Sequence, residues 1–531
     1  MFEKENEGAN NTIKKQLLQL SDGEIKERVK SLYLYNFYKG KSTDLELAKL
    51  NNDLVLFGQN WKVNDDLGYT PTQCIINKAK PLLKKQSRWM FGKPPDITIN
   101  ADNSDDNAKK LCEDLRKYLE NILNAKFWKE TRQAFLESTI KKRVAVRIAA
   151  NPNTKYLKVR YDSIDNVSYK EVDGVVTEIK YFSEDLGNAT KIDDTKKLYY
   201  IYKYYYKEIE GEQGNELQYK ASFSKLTYRG DNLSEPIEEE EVDYKKNNYE
   251  LGFDNNKLPC WVIKNSPELN SQYGESDLED LIDSQNEYNH KVSDYADAQK
   301  FQMFGSVAVV DGSEESVNKL MLAPGALHAI KTRDEIKDSK QAKIERQEYS
   351  LSCGEAVENR LKTLETDMKF MLDMPDIKDL TNIPSGKAMK YLYNDLVARC
   401  EEKWTDWEPY LLELIEYIVD ISPQMKLDGW DSQFANLIGK CTISFKHNYP
   451  IPEDETDTKT LAMDEVATGV RSVKSYIRDI TKEEDAEKAY QEIVEEAATK
   501  SDISLGVSQY TNSNEHTKDN ISKVNEEGLN E

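Results

Sequence analysis

Residues 273–297 read YGESDLEDLIDSQNEYNHKVSDYAD. Ser276-Asp277-Leu278-Glu279 has the form of a capping box, a hydroxyl able to accept from the first turn and a carboxylate able to reach back. Behind it Leu278, Leu281, Ile282, Tyr288, Val292, Tyr295 and Ala296 recur at helical spacing, which predicts a helix running to about Met303. Asp280, Asp283, Glu287, Asp294 and Asp297 step by 3, 4, 7 and 3 along it and form one like-charge stripe. Such a stripe costs a few tenths of a kcal/mol per close pair. It is either a solvated outer face or the wall of a water-filled passage that must not grip a polyanion. Asp277 and Glu279 could be read as the metal-holding carboxylate pair of a nucleotidyltransferase, but that chemistry places the pair on a strand. On a helix, residues two apart diverge, so the capping reading is preferred and a metal-dependent nucleotidyltransferase is kept as the alternative.

Downstream, 305–346 is a compact mixed segment with the run Val307-Ala308-Val309-Val310 and the turns Asp311-Gly312 and Pro324-Gly325. Ser352-Cys353-Gly354-Glu355 opens a second long helix, whose Val357, Leu361, Leu364, Met368 and Met371 make a narrow apolar seam. Pro375 stops it, a loop spans 376–384, and Ser385 opens a helix of about thirty residues to Val419, bent if Pro409 lies inside it. Upstream, Thr70-Pro71-Thr72-Gln73 predicts a helix start, followed by Ile75, Ile76, Ala79, Leu82, Leu83, Trp89 and Met90, with a kink at Pro81. Gly92-Lys93-Pro94-Pro95 ends that helix, and Asp96-Ile97-Thr98-Ile99 alternates like a strand. Two helices are expected over 106–125 and 129–142. From 144 to 263 β-branched residues and Tyr predict an antiparallel β region, with Glu238 to Glu241 as a solvated loop. Short helices are expected over 465–498 and a disordered tail after Lys500.

The chain has 531 residues, 96 acidic and 73 basic, for a net charge of −23. At about 150 residues per domain this allows three or four domains. The 14 Phe, 31 Tyr and 7 Trp are too many for a disordered chain, so the fold class expected is α+β, mainly α. So acidic a protein is a poor wrapper for nucleic acid; any role on DNA needs local basic patches. No secretory leader and no membrane span are expected, because the start is polar and the run 411–419 is broken by Glu413 and Glu416. The six cysteines are scattered, which argues for buried reduced thiols rather than a zinc site or disulfides.

Catalytic constellations do not form. Ser385-Gly386-Lys387-Ala388 lacks both the upstream Gly and the following Ser or Thr of a phosphate-cradling loop. His290, His328, His447 and His516 stand apart from one another, so no metal, cofactor or catalytic residue is assigned. Two basic stretches interrupt the acidic chain. One is Lys331, Arg333, Lys337, Lys340, Lys343 and Arg346; the other is Lys78 to Lys93, with six basic residues and no acidic one. The first reads as phosphate contact or an ordinary exposed loop, the second as an anion-facing surface or the complement of an acidic neighbour subunit.

In order and spacing the chain resembles the portal (head-to-tail connector) proteins of tailed bacteriophages, of the type found in phages of Gram-positive bacteria. The likeness rests on Trp89-Met90-Phe91-Gly92-Lys93-Pro94-Pro95, on the Tyr273 to Glu279 motif with Ile282-Asp283 and Tyr288-Asn289, and on Ser385-Gly386-Lys387-Ala388-Met389. It also rests on Ile443-Ser444-Phe445 through Asn448-Tyr449-Pro450 with Glu465-Val466-Ala467 and Gly469. The resemblance implies a ring-shaped homo-oligomer, usually a dodecamer, around an axial channel for double-stranded DNA at one capsid vertex. It implies a charged N-terminal extension (1–68), a wing (69–273), a stem helix (274–304), a clip (305–348), a second stem helix (349–374) and a tunnel loop (375–384). A long tunnel and wing helix with its return (385–452), a crown (453–499) and the tail (500–531) complete it. Implied partners are the large terminase, major capsid and scaffolding proteins, head-completion proteins and DNA that slides through without sequence preference. Assembly would take place in the host bacterial cytoplasm and the product would reside in the virion. The channel candidates are Lys331, Arg333 and Lys337 in the clip and Lys378, Asp379 and Asn382 in the tunnel loop, with Asp280, Asp283, Glu287, Asp294 and Asp297 as the acidic stem face. The chain departs from the family pattern in its longer, more charged 1–68, in lacking a glycine ahead of the strand at 142–148, and in the acidic insertion at 238–241. Another phage head or adaptor protein is the structural alternative.

Overall fold

The computed structural model describes residues 13–40, 71–72, 74–101, 106–151, 156–185, 197–210, 217–241, 256–269, 271–304, 306–315, 330–333, 342–347, 353–375, 391–425, 427–437, 440–450, 455–481 and 488–496. Contacts divide it into two units, Met1–Asp379 with Leu392–Pro450, and Leu380–Tyr391 with Ile451–Glu531.

The first unit begins with a helix that the charged N-terminal region conceals. Helix α1 (Asp22–Lys39) is capped by the Ser21 hydroxyl, which accepts from the Glu24 N–H, and ends at Gly40 in the left-handed conformation. It buries Tyr33, Leu34, Phe37 and Tyr38. Helix α2 (Ala79–Phe91), strand β1 (Asp96–Ala101), helix α3 (Asp106–Ile122) and helix α4 (Ala125–Lys141) follow. The expected strand at Asp96 is present, and its alternate residues Ile97 and Ile99 are buried.

The predicted β region forms two sheets. Strands β2 (Arg143–Asn151), β3 (Tyr156–Ser163) and β9 (Cys260–Lys264) form one in the order β3-β2-β9. Strands β4 (Val167–Val172), β5 (Val175–Glu184), β6 (Leu198–Glu210), β7 (Leu217–Arg229) and β8 (Glu238–Glu241) form the other, an antiparallel meander. Ile179, Tyr181, Tyr204 and Phe223 are buried together in its core. The four glutamates of β8 are not a loop as expected: they pair with Ser224 to Thr227 as an edge strand, all exposed. Like charges on an edge resist pairing with a further strand, and Lys207 holds Glu241 at 3.5 Å.

Helix α5 (Ile282–Phe304), strands β10 (Ser306–Val310) and β11 (Lys343–Gln347), helix α6 (Gly354–Phe370) and helix α7 (Asn394–Met425) come next. Helix α7 holds Pro409 and Pro423 and runs past the expected end at Val419; Ser385 lies outside the described residues. Its Trp407 packs edge-on against Phe91 and Phe135, and its Tyr410 and Tyr417 pack on Trp261 of β9. Strand β12 (Cys441–Lys446) returns to pair antiparallel with β1. In the second unit, helix α8 (Glu455–Ala467) starts ahead of the expected 465. Ser472 caps the short helix Val473–Tyr476, and a further helix covers 488–496.

The helix expected from Thr70 instead begins at Ala79, because residues 72–78 find their hydrogen bonds elsewhere. The N–H groups of Thr72, Cys74, Ile76 and Lys78 donate to Asp297 Oδ2 (2.8 Å), Ser293 Oγ (2.9 Å), Asn289 Oδ1 (3.0 Å) and Gln285 Oε1 (2.7 Å). These acceptors lie every fourth residue along α5. Alternate residues of this segment are thus matched to every fourth residue of α5, a step of about 6.0 Å along the helix. Gln285 Nε2 also donates to the Ile76 carbonyl (2.8 Å). Pro81 falls in the first turn of α2, where no intrahelical N–H partner is lost, and the expected kink has no cause.

The Ser276 motif is anchored differently from a free capping box. Ser276 Oγ accepts from the Leu278 N–H (3.3 Å) and donates to the Ile140 carbonyl (2.8 Å). Glu279 turns to Lys30 (3.1 Å) and Lys142 (3.2 Å), and a 3-10 turn at Glu279–Leu281 precedes α5. Asp277 is buried, with Lys403 Nζ at 2.8 Å, Arg399 at 3.6 Å, Gln86 Nε2 at 2.8 Å and Asn265 Nδ2 at 3.0 Å. Burial alone would push its carboxyl up, but Lys403 and Arg399 outweigh it and hold the pKa below the usual range. Asp277 and Glu279 thus serve different cations, and a shared metal geometry is not formed. Gly274 threads between two backbones: a Cβ there would lie 2.4 Å from the Asn265 carbonyl oxygen and 2.5 Å from that of Lys142.

Two outcomes follow for the isolated protein in urea unfolding followed by tryptophan fluorescence. Gly274→Ala should destabilise by about 1–3 kcal/mol through overpacking. Gly23→Ala, whose nearest neighbour is a side-chain oxygen 4.0 Å away, should be neutral or slightly stabilising; equal losses would refute the close-approach account. Lys403→Met should cost about 3–5 kcal/mol at pH 7 by stranding the Asp277 charge. The depressed carboxyl of Asp277 contributes stability above its unfolded pKa of about 3.9, and this is lost as pH falls through its lower folded value. The gap between wild type and variant should therefore narrow on acidification. A gap that widens would contradict the assignment.

Candidate functional site

Helices α5 and α6 form an antiparallel hairpin. Arg360 donates from Nε and Nη2 to the two Glu287 carboxylate oxygens at 3.0 and 2.8 Å. The Tyr288 hydroxyl donates to Glu365 Oε1 at 3.0 Å, and Lys78 Nζ sits 2.9 Å from the same carboxylate. Of the expected seam, Leu364 and Met368 are buried, Val357 and Leu361 are half-buried, and Met371 is exposed. Near the far end of α5, Phe301 and Met303 are 48% and 68% exposed. The hairpin is thus fixed in the fold by the Asp277 cluster and the 72–78 ladder, while Phe301 and Met303 near the end of α5 are largely exposed.

The acidic residues divide into two groups. Asp280, Asp283 and Asp294 are exposed and make no ion pair among the described residues. Asp283 and Asp294 are eleven residues apart, close to three whole turns, so they share a line on α5. Glu287 is taken by Arg360. Asp297 is turned into the ladder, where it accepts from Thr72 and lies 3.4 Å from Lys300. Those hydrogen bonds outweigh burial and hold its pKa below the usual range.

At the end of the hairpin, β10 and β11 pair from Ser306–Gln347 to Val310–Lys343. A bridge between Gly312 and Thr332 extends this small sheet, with the Ser313 N–H on the Lys331 carbonyl (2.8 Å) and the Arg333 N–H on the Asp311 carbonyl (3.1 Å). Lys331 and Arg333 flank the bridged Thr332. Alternation along an extended segment sends them to one face, and both are exposed. Thr332 Oγ1 accepts from the Ala342 N–H (3.2 Å). Lys337, Lys340, Lys378, Asp379, Asn382, Ser352, His328, His516 and the tail after Lys500 lie outside the described residues. His447 is packed on Trp404 and Tyr449 with a ring nitrogen at the Met90 carbonyl, and burial lowers its pKa. Cys112, Cys260 and Cys400 are buried, while Cys353 is exposed.

Sequence reasoning missed a run of buried cations where α4 meets β2. Lys141 pairs with Glu137 (3.0 Å) and Asp165, Lys142 with Glu27 (2.9 Å), Arg143 with Glu24 (2.7 Å) and Arg147 with Asp162 (3.0 Å). Lys142 has a left-handed φ of 73°, at the position where a glycine would lead the strand. The available signal was Glu24 and Glu27, one helical turn apart in α1. The ladder residues Gln285, Asn289 and Ser293 were also missed; small polar residues at steps of four inside an amphipathic helix were the signal for them.

Among the described residues no cluster of three or more His, Cys, Asp or Glu could hold a metal ion, and no helix is long and apolar enough to cross a membrane. Curated proteins provide no match to the chain. The family described as Phage portal protein, SPP1 Gp6-like, matches residues 18–502. That span takes in both sheets, the α5–α6 hairpin with its terminal β10–β11 pair, and α8. The order of helices and small sheets within it fits that assignment, and the chain belongs to the phage portal protein family.

Proposed function

We propose that copies of this chain stand in a ring, a dodecamer, at one capsid vertex of a phage of Gram-positive bacteria, and pass double-stranded DNA through its bore during packaging and ejection. The observation that carries the reading is the α5–α6 hairpin, tied to the fold by the Asp277 cluster and the 72–78 ladder, with exposed apolar side chains near the far end of α5 and with Lys331 and Arg333 exposed on the small sheet beyond it. The stem is 274–304 with 349–374, the clip 305–348, the tunnel loop 375–384 and the crown 453–499. The wing is 1–273 joined by 385–452. Lys331, Arg333 and Lys337 line the channel and meet phosphates at the clip, and Lys378, Asp379 and Asn382 line it at the tunnel loop. Asp283 and Asp294 face the bore and keep the duplex from sticking. Each added phosphate contact multiplies affinity, so a conduit needs few basic contacts and an otherwise repellent wall.

The role is structural and motor-coupling rather than catalytic. The clip docks the large terminase, which supplies ATP hydrolysis, and later the head-completion proteins. Major capsid and scaffolding proteins surround the wing. The protein is made in the host cytoplasm and remains in the virion.

Negative-stain imaging of the purified protein should show rings with a central hole. A monomer or dimer at every salt concentration would favour another head or adaptor protein. Lys331→Glu combined with Arg333→Glu should leave rings intact and lower the DNA packaged per head several-fold, measured by quantitative PCR of nuclease-protected DNA. Normal packaging by that variant would overturn the clip assignment.

A further inference from the structure

Two like-charged crowds lie exposed on the first unit. On α2, Lys84 and Arg88 are exposed one turn apart and, with Lys85, make no ion pair among the described residues. Lys85 is held over the Tyr393 ring at 5.6 Å, and burial together with the neighbouring Lys369 pushes its pKa down. Phe370, directly after Lys369, is 80% exposed. The second crowd is acidic: Glu268, Glu275 and Asp280 are all exposed. The Glu275 pKa is raised by a hydrogen bond with Glu268, by slight burial and by the charges of Glu268 and Asp280. Leu269, beside Glu268, is 96% exposed.

Lys369 disfavours the charge on Lys85, and Glu268 and Asp280 disfavour the charge on Glu275; one exposed apolar residue follows each in the chain, Phe370 after Lys369 and Leu269 after Glu268. An apolar contact rimmed by charge is the composition of a protein interface. A surface meant for DNA has no use for an exposed Phe, which is why a protein partner is favoured over phosphate for the α2 face. A closed ring requires heterologous contacts, two different and complementary patches on every copy. We propose that the basic face of α2 in one copy, with Phe370, docks on the Glu268–Glu275–Asp280 cluster of the next copy, with Leu269. The contact rests on the ring reading above. It takes Asp280 out of the bore-facing stripe and leaves Asp283 and Asp294 there.

The test uses full-length protein, sedimentation velocity and imaging over a salt series, with melting curves to confirm folding. Lys84→Glu with Arg88→Glu, and separately Glu275→Lys with Asp280→Lys, should each raise the dissociation constant between copies about tenfold or more near physiological salt. The combined four-residue swap should return it to within about threefold of wild type. Unchanged ring stability in either single-sided variant, or no rescue in the combined one, overturns the contact while the ring stands. Unchanged rings with weaker duplex binding by the α2 variant would assign that face to DNA and overturn it too. Wild-type protein that forms no ring at any salt would remove the ring reading and this contact with it.

Discussion

One buried carboxylate decides how the rest is arranged. Asp277 has to meet Gln86 from α2, Asn265 from beyond β9, and Arg399 and Lys403 from α7 at the same time. Taking these charges out of water costs several kcal/mol per ion before their attraction is counted. The cluster is therefore weak as a source of net stability and strong as a source of geometry, since omitting a cation strands the Asp277 charge and omitting an amide leaves one of its oxygens short of a donor. Its Thr139 contact, through the Asp277 N–H at 3.0 Å, adds the end of α4. The segment that enters α5 is thus tied to four separate parts of the chain before the helix begins.

The ladder between 72–78 and α5 continues that constraint along the helix. Polar side chains facing inward on a helix are usually a liability unless satisfied. Gln285, Ser293 and the Asn289 Oδ1 supply the hydrogen bonds that the backbone of 74–78 would otherwise lack, while Asn289 Nδ2 is buried with no partner among the described residues. The matching of alternate residues of 72–78 to every fourth residue of α5 carries the pairing over three turns. It also fixes the rotation of α5. With Gln285, Asn289 and Ser293 committed to the strap, Asp283 and Asp294 must occupy another face, and they are exposed there.

The type of each long element was legible in the sequence because periodicity reports burial directly, as in α6, α7 and the β-branched run from 144. Its failures were of one kind, a local signal overruled by a distant partner. Thr70-Pro71-Thr72-Gln73 has good capping chemistry, but side chains more than two hundred residues away took the N–H groups that a helix would have used. Glu279 has the right spacing to cap, yet Lys30 and Lys142 hold it. Four consecutive glutamates resemble a solvated loop until β7 offers them a ladder. Helix α1 was legible only as part of a charged, helix-permissive stretch, because Tyr33, Leu34, Phe37 and Tyr38 are set among charges that pair inward. Of the channel candidates, the pairing of Lys331 with Arg333 on one face could be read only once Gly312 and Thr332 were seen to bridge.

A net charge of −23 would seem to disqualify a protein from handling DNA, but net charge is not what a passing phosphate experiences. At physiological salt the field of an exposed charge fades over about 8 Å. The buried cations where α4 meets β2 are already neutralised within hydrogen-bond distance, as Arg143 is by Glu24 at 2.7 Å. What remains to act on a duplex is the set of exposed side chains within one screening length of it. On the first unit Lys84 and Arg88 are exposed on α2 and Asp283 and Asp294 on the outer line of α5, while Lys331, Arg333 and Lys343 of the small terminal sheet are exposed beside Asp311 and Glu345. In the proposed ring, an arrangement of this kind would let one acidic chain attract phosphate at a chosen place and repel it along a rod.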